Sequence, residues 1–109
     1  MSATHDLADI IVDLSVGAHP EAVAGALDSL IWCLADNGHQ IMLAQERWLR
    51  AAQDKHRVEI ALAMNETFPF QTLAEMSSVF SHVCSVWPEL ETHCDRTLKE
   101  RRLQNPTAP

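Results

Sequence analysis

The sequence predicts an all-α domain of four to five helices, a small bundle with one long central helix. Three observations predict it. Ala, Leu, Glu, Gln, Met and Arg are plentiful, while Gly occurs three times and Tyr not at all. Apolar residues recur at helical spacing, and no stretch reads as a strand. Pro-Glu pairs and glycines stand where helices start and stop. At 109 residues and 47% hydrophobic content the chain reads as one folded domain over 1–109, with 105–109, "NPTAP", as a loose tail.

Helix 1 is expected near 4–16. Thr4 is placed to cap it, Asp6 suits its first turn, and Gly17 ends it. Leu7, Ile10, Ile11 and Leu14 form an apolar stripe, with Asp6, Asp9 and Asp13 largely opposite. Helix 2 starts at Pro20-Glu21, buries Val23, Leu27, Leu30, Ile31 and Leu34, and closes at "ADNG" with Gly38 in a left-handed position. Helix 3 is expected over 39–64, with Ile41, Trp48, Leu49, Ala52, His56, Ile60 and Ala63 on one face. Twenty-six helical residues span roughly 39 Å. Two short neighbours cannot cover so long a stripe, which predicts a homodimer through Ile41, Trp48, Leu49, Ala52, His56 and Ile60. "NETFPF" breaks the chain, because Pro69 disfavours helix at Phe68. Thr72 and Glu75 form a capping box that opens helix 4, whose stripe is Leu73, Met76, Val79, Phe80 and Val83. It falters at Trp87-Pro88, and helix 5 follows over about 88–103.

Charge excludes one class of partner. The net charge is −7. From Met1 to Glu46 there are seven acids and no Lys or Arg, so the surplus lies in the first half. Direct nucleic-acid binding wants a basic footprint and is not expected. The basic cluster Arg96, Lys99, Arg101 and Arg102 reads as complementing a helix C-terminus. No basic region followed by a long apolar run opens the chain, and the longest apolar run, "LIWCLA", is too short for a bilayer. Three cysteines imply no disulfide framework, so a reduced, cytoplasmic protein is expected.

One stretch, "HVCSVWPELETHC", has the flavour of site chemistry. Structural zinc needs four convergent ligands. On one continuous helix His82 and His93 lie about 16 Å apart along the axis, and His82 and Cys84 point to nearly opposite sides. Only a sharp fold-back at Trp87-Pro88 would bring the two ends together. Metal ligands and cofactors are therefore not expected. A nucleophilic cysteine needs a base and an electropositive setting. Cys33 lies in an apolar run, and Cys94 does not face His93. No Gly-rich phosphate loop is present. The expectation is a protein that is not an enzyme; a metal- or thiol-dependent sensor using the His82–Cys94 region is the alternative.

Protein binding is what remains. Helix 1 presents Leu7, Ile10, Ile11 and Leu14 as partner-binding candidates, flanked by acids that would steer encounter with a basic-edged groove. Trp87, at a helix break, is the tryptophan expected to be partly exposed and to anchor a partner. His56 sits on the apolar face of helix 3, where a buried core role is expected and a pH switch is the sharper reading.

The Pro20-Glu21 and Pro88-Glu89 helix starts, the long helix from His39 to Met64 and the acidic opening together resemble, over the whole chain, small bacterial anti-activators of quorum sensing (the QslA type). The resemblance implies a stoichiometric inhibitor of a LuxR-type transcription regulator. It carries no functional residue over. Phage inhibitors, immunity proteins and secretion chaperones share the same outline.

Overall fold

A computed structural model describes residues 3–15, 17–36, 38–64 and 69–104, with side chains described within 7–103. Among these residues six α-helices follow in order: α1 Ala3–Leu14, α2 Pro20–Ile31, α3 His39–Ala51, α4 Lys55–Ala63, α5 Leu73–Val86 and α6 Glu91–Gln104. A 3-10 turn, Pro88–Leu90, joins the last two. No strand occurs among the described residues. The all-helical expectation holds. The "NETFPF" break falls mainly on 65–68, and that stretch and the 105–109 tail lie outside the described residues.

The start of α1 precedes its expected cap. Thr4 stands inside the helix, which opens at Ala3, and the helix ends at Leu14, three residues before Gly17. Pro20 opens α2 as its spacing requires, with Val23, Ala24, Leu27 and Ile31 turned inward. This helix stops at Ile31, well short of "ADNG". Gly38 is left-handed as expected, at φ 80°, but it caps the start of α3 rather than the end of α2. Its neighbour Asp36 supplies the side-chain cap: its carboxylate accepts from the backbone N–H of Gly38 (3.0 Å) and of Gln40 (3.1 Å).

The single long helix is the main correction. The chain breaks at Ala52, which adopts a left-handed conformation (φ 48°, ψ 46°), and restarts at Lys55. Asp54 caps the restart, accepting from the N–H of His56 (3.0 Å) and Arg57 (3.5 Å). The gain is burial. The molecule measures 31 × 29 × 24 Å, so a straight helix of about 39 Å would project from it. Broken, the segment folds back: α3 packs on α1, α4 and α5, while α4 packs on α2 and α6. Gln45, itself buried, ties the two arms by donating to the Ala61 carbonyl at 2.8 Å.

Thr72 caps α5 as expected, accepting from the Glu75 N–H at 3.1 Å. Only this half of the box is seen, since the Glu75 carboxylate pairs with Arg50 on α3. The chain breaks at Trp87 as Pro88 demands, and α6 returns along α5. The core gathers Val12, Leu27, Ile41, Leu49, Val58, Ile60, Met76 and Val83, one or two residues from nearly every helix.

Candidate functional site

The outer face of α1 is the first candidate. Ala8 and Val12 point into the core, while Leu7 and Ile11 are half-buried at its edge. Ile10 and Leu14, one turn apart, face outward and are 51% and 83% exposed. Two large aliphatic side chains on one exposed helical row are a surface that burial against another protein would stabilise. Of the four α1 candidates, the structure therefore separates a pair that anchors the helix from a pair left uncovered.

The acids of α1 have a different task from the one their spacing suggests. Asp9 accepts from the Trp48 indole N–H at 3.0 Å and from Arg57 Nε at 3.4 Å, and it also pairs with Arg47. Arg57 donates to Asp13 at 2.6 Å and to Asp54 at 2.7 Å. Its guanidinium also lies 6.0 Å from the centre of the Trp48 ring. These bonds fasten α1 to the corner between α3 and α4. Asp9 and Asp13 are thus engaged inside the chain rather than flanking a partner, and the Asp6 side chain lies outside the described residues.

Burial works to raise the Asp9 and Asp54 pKa values. Hydrogen bonds from Arg47 and Trp48 to Asp9, and from Arg57 to Asp54, outweigh it and hold both carboxyls below their ordinary 3.8. Against its own burial, Asp13, then Asp54 and Asp9, hold Arg57 further into its charged range. A carboxyl depressed in the folded state stabilises the fold above about pH 4, and that contribution is lost as pH falls through the depressed value. Stability measured by urea unfolding should therefore drop on acidification below about pH 4. Asp9→Asn should cost about 1–2 kcal/mol at neutral pH and flatten that acid limb. An unchanged acid limb in Asp9→Asn would show that this cluster does not set it.

The expected dimer stripe is occupied. Ile41, Trp48, Leu49, Ala52 and Ile60 are buried in the chain's own core, because the break at Ala52 wraps their face around it. His56 is half-buried, and its Nε2 is buried without a hydrogen-bond partner among the described residues. Five of the six residues are thus used inside the chain, and His56 alone of the six is partly exposed.

Trp87 is half-buried against the core. It is thus partly exposed, as expected, but Trp32, where α2 ends, is more so, at 76%. The apolar run "LIWCLA" disguised it. Helix α2 stops at Ile31, so the run is not one buried stripe, and that early stop carries no signal of its own in the sequence.

The His82–Cys94 region does fold back at Trp87, but only its cysteines meet. Cys84 is half-buried on α5 and Cys94 is buried on α6, and both line one cleft between the two helices. His82 is exposed and His93 half-buried. Among the described residues no group of three or more His, Cys, Asp or Glu converges as a metal site. Burial, then the influence of the Cys84 thiol, pushes the Cys94 thiol up to about 12, the reverse of what activates a free nucleophile. A separate polar cleft of about 290 Å³ lies between α2, α4 and α6, lined by Glu21, Asp28, Leu62, Arg96 and Glu100.

Among the described residues no helix is long and apolar enough to cross a membrane. The chain matches no family model, no curated protein and no solved structure.

Proposed function

We propose that the protein acts by binding a larger protein through the outer face of α1, with no turnover of substrate. The exposed pair Ile10 and Leu14 carries this reading. Their helix is fixed to the body by the Asp9–Arg47–Arg57 cluster, so the pair is offered on a rigid support and little ordering entropy is lost on docking. The partner is an apolar groove with basic surroundings. The net charge of −7 opposes approach of a second copy and favours a partner of opposite sign. The resemblance of the chain to quorum-sensing anti-activators makes a LuxR-type transcription regulator the first partner to test. A reducing cytoplasm suits the three free thiols, Cys33, Cys84 and Cys94.

The test pairs the native chain with an Ile10→Arg/Leu14→Arg variant. Both positions are exposed, and arginine at Leu14, in the last turn of α1, suits the helix dipole, so the fold should keep its stability within about 0.5–1 kcal/mol. Affinity for the captured partner should fall by roughly a hundredfold, as loss of central apolar anchors does. Equal capture by both proteins, or action at substoichiometric amounts, would overturn the reading.

A further inference from the structure

The two cysteines that meet across the α5–α6 hairpin have surroundings that fit a further role. Cys84 lies two residues before the end of α5, and Cys94 lies in the first turn of α6. The break at Trp87 and the 3-10 turn bring these residues, ten apart in sequence, into one cleft. Both line a cleft of about 340 Å³ between the helices. Buried Phe80 and half-buried Leu98 form its apolar part, Ser77 and Ser81 leave room beside Cys84, and exposed Glu91 and Asp95 stand at its edge.

We propose that Cys84 and Cys94 form a redox-modification site, closing to a disulfide by exchange with a low-molecular-weight disulfide and locking the α5–α6 hairpin. Burial divides the labour. Cys84 is half-buried and is the sulfur a reagent in the cleft meets first. Its thiolate attacks one sulfur of the reagent, forms a mixed disulfide and expels one thiolate, which takes up a proton. Cys94 is 1% exposed, shielded from the reagent, and lines the same cleft as Cys84. Its thiolate then attacks the Cys84 sulfur, forms the internal bond and expels the second reagent thiolate, which is protonated in turn. The two cysteines lose two electrons and two protons, and the reagent disulfide is reduced to two thiols. The acids at the cleft edge favour a cationic reagent over an anionic one. Because burial holds Cys94 protonated at neutral pH, the second step accelerates as pH rises.

The experiment uses the full chain carrying Cys33→Ser, exposed to cystamine or to oxidised glutathione, with intact-mass and peptide analysis. The expected product has lost two hydrogens, carries no adduct and yields a Cys84–Cys94 linked peptide. Its thermal midpoint rises by several degrees and returns with reductant. Cystamine should react roughly tenfold faster than the anionic reagent. Adding Cys94→Ser should stop the reaction at a mixed disulfide on Cys84. If that variant does not fold, Cys84→Ser serves instead and should leave Cys94 unmodified. A stable mixed disulfide on Cys84 while Cys94 is present, modification of Cys94 first, or no reaction would each overturn the proposal.

Discussion

Replacing Arg101 with methionine is expected to lower the unfolding free energy by about 3 kcal/mol. Arg101 is 8% exposed, although it belongs to the basic last turn of α6. Its guanidinium donates to the carbonyls of Pro69 at 2.8 Å and of Phe70 at 2.9 Å. Those two carbonyls belong to the segment that leads into α5. Phe70 has a left-handed backbone (φ 70°), which is costly for a residue with a Cβ, and it is held from several sides. The Glu46 carboxylate accepts from its N–H, and the Arg50 guanidinium lies 4.9 Å from its ring centre. Methionine keeps the apolar stem and removes the donors. Two carbonyls would then lose charge-assisted bonds, and the conformation of Phe70 would lose one of its constraints. Arg102→Met, at an exposed neighbour, should change stability by less than about 0.5 kcal/mol. Urea unfolding of both variants makes the comparison. A loss below about 1 kcal/mol in Arg101→Met would mean that water satisfies both carbonyls and that the arginine is not the clasp of this turn.

Gly38→Ala should cost about 2–4 kcal/mol, for two separate reasons. At φ 80° an alanine is strained by about 1–2 kcal/mol. A Cβ there would also lie 2.6 Å from Cγ1 of Ile31 and 2.7 Å from Cγ2, so the side chain that closes α2 must move or the α3 start must shift. Gly17 separates the two effects. Its φ is also left-handed, at 90°, but no atom lies within 4 Å of where a Cβ would stand. Gly17→Ala should therefore show the backbone cost alone, about 1–2 kcal/mol. Truncating Ile31 to alanine in the Gly38→Ala background should be less damaging than the sum of the two single changes, because it removes the clash. Equal losses at Gly17 and Gly38 in thermal unfolding would show that Ile31 yields without cost.

These two residues also mark what could be read without coordinates. Gly38 was legible as a left-handed position, because glycine beside Asn and Asp is the ordinary chemistry of a helix boundary. Its close approach to Ile31 was not, since that depends on how α2 and α3 cross. Arg101 read as one of four exposed cations complementing a helix end. Only the packing of α6 beside the Pro69–Phe70 turn makes it a buried donor. The candidate site divides in the same way. The periodicity of Leu7, Ile10, Ile11 and Leu14 placed all four on one side of α1, but the burial of Ala8 and Val12 decides that only Ile10 and Leu14 face outward. Asp9 and Asp13 looked like a solvated acidic flank, and their partners Arg47 and Arg57 come from 38 to 48 residues away.

The sequence by itself determined the helical class, the Pro20 start of α2, the Thr72 cap of α5 and the break at Trp87-Pro88. Each rests on propensity, on a proline's missing N–H or on a side chain bonding a backbone group within a few residues. The tertiary structure decided the break at Ala52, the consumption of the expected dimer stripe inside one core, the exposure of Trp32 and the meeting of Cys84 with Cys94. Local preferences favour a continuous helix through Ala51 and Ala52. Folding the segment back buries Ile41, Leu49, Val58 and Ile60 together, and that burial outweighs about 1–2 kcal/mol of left-handed strain at one alanine.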